Sequence, residues 1–402
     1  MNVNIIHKYI VAGIVILVVL VGLGFFYINN VNSGYIAIAD EIIETCKNEG
    51  YRPACYDVEI PKVMDRGLSM EEAFEVTKVV QDKDDAYLYC HVLGHYLAIK
   101  ETAKDPSRWK EVVSRAPGGI CSNGAIHGAF QERFRVESLP DAEIEELKLE
   151  LEGVCEKREN WNPTPLEGAT CTHAFGHLTM YVTDANIDKS LILCDEISNN
   201  TDGRDLRQLC YDGVFMQLYQ PLEPDDFALI EGQEIETKSE AIAFCDQFDG
   251  EIRGACISES WPLWREDLQS NPQETVDFCS RLKNDPKEEK RCYTAIFYVL
   301  TALSNLDEEW VSNYCTGIEA SRQPQCFANA ASRMIETDWR NIDRAIALCK
   351  VADGFGVSDE CYDELLLYSS YNFVIGSEEF DQLCDSLPDP WRGQCFARSI
   401  DI

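Results

Sequence analysis

Five of the six histidines of this chain fall in three short stretches: Cys90-His91-Val92-Leu93-Gly94-His95, Cys121-Ser122-Asn123-Gly124-Ala125-Ile126-His127-Gly128 and Cys171-Thr172-His173-Ala174-Phe175-Gly176-His177. The sixth, His7, precedes an apolar span far from the others. His91 and His95 are four residues apart, as are His173 and His177. On a helix that spacing stacks both side chains on one face, one turn apart. Two imidazoles so placed can grip one metal ion, and neutral imidazole suits zinc, copper, nickel or iron. His91, His95, His127, His173 and His177 are therefore candidate ligands to one or two ions, with zinc or copper foremost. A thioether from Met180 or Met216 would tilt the choice toward copper. Two readings compete: histidines that only hydrogen-bond or cap helices, and acid–base histidines working without metal.

The chemistry around a bound ion is less defined. A zincin-type protease carries glutamate directly after its first metal-binding histidine. Here Val92 and Ala174 stand in that place, so that mechanism is unsupported. Glu132, about one turn past His127, is the candidate catalytic base, with a metal-bound water as nucleophile. Gln131 is a candidate ligand or ligand-orienting group, and Tyr181, one turn past His177, a candidate proton donor. No Gly-x-Ser-x-Gly elbow, P-loop or dinucleotide fingerprint occurs.

Glycine precedes the second histidine of each pair, at Gly94 and Gly176, and flanks His127 at Gly124 and Gly128. Glycine in a helix costs roughly 0.5–1 kcal/mol against alanine, so repeated use implies that backbones approach closely there. After Cys210 the pattern keeps Gly213 but has Met216 where the earlier stretch has His127. From Cys245 onward both are lost, which divides the chain into a site-bearing part and a scaffold part.

The elements that must position these residues are legible from the cysteines. Cys245, Cys279, Cys315, Cys349 and Cys384 each end an amphipathic run, and Cys256, Cys292, Cys326, Cys361 and Cys395 each follow a polar loop. A period near 35 residues marks a helical repeat array, because one hairpin cannot bury its apolar stripe alone. Helix A ends at the first cysteine and helix B begins near the second. Tyr293, Ile296, Phe297, Leu300 and Leu303 form one such stripe. The pattern extends back to Cys194–Cys210, Cys155–Cys171 and Cys46–Cys55. Cys90 and Cys121 remain, both near the start of a helix B, and are expected to bridge adjacent repeats. The architecture resembles disulfide-stapled α-hairpin arrays of the Sel1-like and tetratricopeptide kind over roughly residues 34–402. That resemblance implies an α-solenoid or a closed helical array and carries no catalytic residue across.

Composition bounds the setting. Eighteen cysteines in even, repeat-phased positions point to an oxidising compartment. Tyr9 to Ile28 carry no charge and are about as long as a bilayer-spanning helix. The small-residue stretch Ala37-Ile38-Ala39 lies well past this run, which favours an uncleaved anchor over a signal peptide. Lys8 on the short side places residues 1–8 in the cytoplasm and the remainder outside the cell membrane. A formal charge of −35 disfavours nucleic acid as a partner.

The expectation is an all-α array of disulfide-stapled hairpins behind one N-terminal transmembrane helix at residues 9–28. Histidine-bearing repeats would span 34–222 and scaffold repeats 237–402, separated by the polar Glu223–Glu236 stretch. The expected function is a membrane-anchored exterior protein with a histidine transition-metal site, either a metal-dependent hydrolase or a metal-handling protein. The alternative is a non-enzymatic scaffold that binds a protein or glycan partner.

Overall fold

The computed structural model describes residues 33–135, 138–198, 205–222 and 224–398. It divides after Tyr87 into two compact units. No strand occurs among the described residues; two isolated bridges, Ile120 with Asp338 and Arg158 with Trp161, are the extended pairings. None of the described helices is long and apolar enough to cross a membrane, and the anchor expected over 9–28 lies outside the described residues.

The first unit contains a helix over 33–46, a second at Arg52–Glu59 and a third at Met70–Lys83. Cys46–Cys55 ties the first two together. Ser69 starts the third with a capping box: its hydroxyl accepts from Glu72 N while the Glu72 carboxylate accepts from Ser69 N. Arg52 and the Tyr56 phenol both donate to Asp84, closing this unit around its own core.

The second unit is built on eight inner helices. They are α1 (His91–Thr102), α2 (Gly124–Phe134), α3 (Pro165–Val182), α4 (Arg207–Tyr219), α5 (Gly250–Glu259), α6 (Pro286–Leu303), α7 (Gln323–Thr337) and α8 (Ser358–Asn372). Each packs against the next in chain order. Outer helices such as Ile187–Ile197, Lys238–Cys245 and Ile342–Asp353 alternate with them. The stripe read from the sequence is the packing face of α6: Tyr293, Ile296, Phe297 and Leu300 are buried and Leu303 is half-buried.

All eighteen cysteines are paired, and all nine pairs are those that spacing predicts. Six of the eight in the second unit fasten the outer segment of a hairpin to its inner helix, and Cys384–Cys395 joins the last two helices, Glu378–Ser386 and Trp391–Ala397. The eighth, Cys90–Cys121, instead joins the start of α1 to the turn that leads into α2. Closing short loops in the unfolded chain is worth about 2–4 kcal/mol per bridge, less any strain.

Within this unit the late helices return to the early ones. α8 packs against α3, and α7 against the turn at Cys121–Asn123. Trp339 N donates to Gly119 O at 3.1 Å, and Asn305 Oδ1 accepts from Leu88 N and Tyr89 N at 2.8 and 3.2 Å. The part of the chain without histidines thus lies against the part that has them.

Candidate metal centre

The histidines sit on α1, α2 and α3, and glycines set how closely those helices approach. A Cβ on Gly124 would lie 2.2 Å from His91 O, and one on Gly128 would lie 2.3 Å from His95 O. A Cβ on Gly176 would lie 2.1 Å from Cys210 O, and one on Gly213 would lie 2.2 Å from His173 O. No side chain larger than hydrogen fits these crossings. The crossing of α1 with α2 brings His127 onto His91 and His95, and the crossing of α3 with α4 brings Met216 onto His173.

The turn into α2 is unusual. Cys121, Ser122 and Asn123 all have positive φ, at 50°, 48° and 55°. Left-handed backbone costs roughly 1–2 kcal/mol for each L-residue, so surrounding contacts must hold this run in place. They do so from several sides. Cys121 is bonded to Cys90, Asn123 Oδ1 accepts from Gly119 N at 3.1 Å, and Ile120 bridges to Asp338. The next residue, Gly124, is the one seated on His91 O. α3 begins more conventionally, with Thr164 and Glu167 in a capping box and proline at the first turn.

His91, His95 and His127 offer ring nitrogens that all lie within 4.8 Å of one another, a group that could hold a metal ion. His95 Nε2 is 3.1 Å from His91 Nε2 and 3.3 Å from His127 Nδ1. Two nitrogens each 2.0–2.1 Å from a tetrahedral ion lie about 3.3–3.4 Å apart, so the spacing matches a tetrahedral edge. His95 and His127 are buried; His91 is half-buried, with Nδ1 withdrawn from solvent. His173 and His177 adjoin this trio, with ring centroids 5.1 and 5.6 Å from that of His127. All five histidines singled out by spacing therefore form one cluster.

A neutral imidazole carries one N–H and one lone pair, so the partner of its outer nitrogen decides what the inner nitrogen offers. Gln131 Nε2 donates to the two oxygens of Asp226 at 3.3 and 3.4 Å, which turns its Oε1 toward His95 Nδ1 at 3.4 Å. An amide oxygen only accepts, so His95 carries its proton on Nδ1 and presents a lone pair at Nε2. Thr170 O lies 3.3 Å from His127 Nε2 and likewise takes that proton, leaving the Nδ1 lone pair directed at His95. Asp226 is itself buried; it also accepts from the Tyr181 phenol and from Leu222 N. The path Tyr181–Asp226–Gln131–His95 runs through four helices, Asp226 lying in the short helix Pro224–Leu229, and it orients one imidazole. The Tyr181 phenol, pushed up by burial and then by the Asp226 charge, stays protonated and donates.

The electrostatics keep the ligands neutral. Burial lowers every one of the five histidines, and neighbouring imidazoles lower four of them further. His95 falls to about 4 and His173 to about 3, chiefly by desolvation. At neutral pH the cluster thus offers lone pairs, and protons compete weakly with a cation.

The remaining candidates separate. Gln131 and Tyr181 join the cluster as described. Glu132 pairs with Arg135 at 3.2 Å, one residue round the helix from Gln131. Met216 Sδ lies 3.3 Å from His173 Nε2, whereas Met180 is buried and accepts from Ser190 Oγ at 3.5 Å, toward the outer helix Ile187–Ile197.

Sequence reasoning missed Asp226, Gln217 and Arg333. Asp226 sits in the polar stretch read as a linker, where nothing local distinguishes it from other acids. Arg333 comes from α7, in the part read as scaffold. It donates to Tyr89 OH at 3.0 Å and to Glu336 at 2.6 Å, and its charge is one of the influences that lower His91. The Tyr89 ring stacks near His91, with centroids 6.2 Å apart.

Comparison with known proteins returns no matching family model, no matching curated protein and no matching solved structure.

Proposed function

We propose that this chain is a membrane-anchored exterior protein that holds a transition-metal ion, zinc or copper, on His91, His95 and His127, and that its role is metal handling. One observation carries the reading. His95 and His127 each give their only N–H to an outward acceptor, and the freed lone pair of His95 Nε2 lies 3.1 Å from His91 Nε2 and 3.3 Å from His127 Nδ1. Converging lone pairs repel one another, and a cation among them turns that repulsion into ligation. The paired cysteines support an exterior location, since disulfides persist in oxidising compartments.

Catalysis is the second reading, and Arg333 favours it. A fixed guanidinium beside a three-histidine ion would suit an anionic substrate or a developing oxyanion. Handling is preferred because Glu132, the carboxylate expected to act as base, is engaged by Arg135.

The test is elemental analysis of untagged protein. Wild type should carry metal in stoichiometric amount. His95→Ala and His127→Ala should each lower occupancy at least tenfold, with helical content and disulfide count unchanged. Metal-free wild type combined with a loss of thermal stability in both variants would mark the histidines as structural.

A further inference from the structure

The helix pair α3–α4 repeats the ligand arrangement of α1–α2. In each, one helix carries two histidines four residues apart with glycine before the second, and the partner carries glycine three residues and a ligand-type side chain six residues after its cysteine. In α2 that side chain is His127; in α4 it is Met216. The structure superimposes the same logic in space. His173 Nε2 lies 3.4 Å from His177 Nε2 and 3.3 Å from Met216 Sδ.

We propose that His173, His177 and Met216 form a second metal centre, two imidazoles and one thioether, that takes Cu(I). It rests on the reading of the histidines as ligands and adds a separate site with its own metal preference. His177 Nδ1 meets Gln217 Oε1 at 2.7 Å, which places the proton on Nδ1 and the lone pair on Nε2. His173 Nε2 is the nitrogen that faces both Met216 Sδ and His177 Nε2, so a lone pair there completes the set. Thioether sulfur cannot donate to either nitrogen. The lone pairs of His177 Nε2 and Met216 Sδ thus meet at His173 Nε2. The spacing again fits. A nitrogen at about 2.05 Å and a sulfur at about 2.3 Å from a tetrahedral ion lie about 3.6 Å apart. Soft thioether selects Cu(I) over zinc, so the two centres differ in preference although they are neighbours. His127 does not join the second set: its Nε2 is taken by Thr170 O and its Nδ1 faces His95.

The experiment uses the oxidised full-length protein, whose cysteines are all paired and so supply no competing thiolate. Cu(I) is added as its acetonitrile complex and titrated against a chromophoric Cu(I) chelator, and the loaded protein is analysed by copper X-ray absorption. Wild type should bind two equivalents and show a sulfur scatterer at about 2.3 Å. Met216→Leu, a volume-conserving change, should lose one equivalent and the sulfur signal while retaining the other. His95→Ala should lose the opposite equivalent and keep the sulfur signal. A wild type that binds one equivalent without sulfur overturns the second centre but leaves the first. So does a Met216→Leu protein indistinguishable from wild type. A wild type that binds no metal at all overturns both.

Discussion

The two histidine-bearing helix pairs present equivalent ligand positions but hold them by different means. In α1–α2 the two inner helices are bonded to each other through Cys90–Cys121, and α2 begins from three consecutive left-handed residues. In α3–α4 each helix is bonded outward, through Cys155–Cys171 and Cys194–Cys210, and the corresponding cysteine, Cys210, lies inside a regular helix. The orienting glutamines differ too. Gln131 is pinned by Asp226, whereas the buried Nε2 of Gln217 has no hydrogen-bond partner. One ligand pattern therefore tolerates two supports. What both share is the glycine crossing, which sets the distance between helices and so the distance between ligands.

The strongest way to break the comparison is at those glycines. At the first histidine-bearing helix of each pair the crossings are unequal. A Cβ on Gly94 would meet the Gly124 and Ala125 backbone at 3.0–3.1 Å, while one on Gly176 would sit 2.1 Å from Cys210 O. Gly176→Ala should cost about 3 kcal/mol or more, the upper end of overpacking effects, because backbone cannot move aside as a side chain does. Gly94→Ala should cost under about 1 kcal/mol, as improved helix propensity offsets a shift of a few tenths of an ångström. Chemical denaturation of the two variants decides it, and equal losses would mean that the crossings are not the rigid element they are taken to be.

A smaller effect separates the disulfides. Removing Cys90–Cys121 by paired serine substitution opens a loop with a sequence separation of 31. On chain entropy this costs about 3–4 kcal/mol. It also frees the left-handed turn that seats Gly124, so metal affinity at His91, His95 and His127 should fall at least tenfold. Removing Cys194–Cys210 should reduce stability by a similar amount yet change that affinity less than threefold. Isothermal titration with Zn(II) compares the two; a matching loss of affinity in both would show that the bridge between inner helices has no special part in the site.

The finest contrast lies in the glutamines. Gln131→Glu sets a carboxylate against Asp226, and like charges so close in a buried site oppose each other. Gln217→Glu meets only His177 Nδ1, which can donate to it. The first change should weaken metal binding by roughly 10–100-fold and the second should leave it equal or improved. If the two substitutions act alike, the Asp226 relay does not orient His95.

How far the site was readable follows from sequence distance. The i,i+4 pairs are local, and the helix supplies their geometry wherever it packs. Gln131 and Tyr181 were visible because they follow a histidine by one turn. Gln217 stands beside the noted Met216, yet nothing in the sequence says that it faces His177. Asp226 reaches Gln131 across 95 positions and Arg333 reaches Tyr89 across 244. No periodicity carries information over such separations. Reading the later repeats as mere scaffold overlooked that an array folding back on itself lends side chains to its own beginning.

By itself the sequence determined the hairpin period, all nine disulfide partners and the pairing of histidines on single helix faces. Each depends on short spacings, on amphipathic stripes that must be buried, or on cysteines that leave no remainder. Only the tertiary structure decided that the three stretches meet, that Met216 rather than Met180 faces a histidine, and which nitrogen of His95 and His127 keeps its lone pair. Those outcomes depend on which backbone atoms lie against a glycine and which distant oxygen accepts an imidazole proton, and both are properties of packing between helices that no single helix encodes.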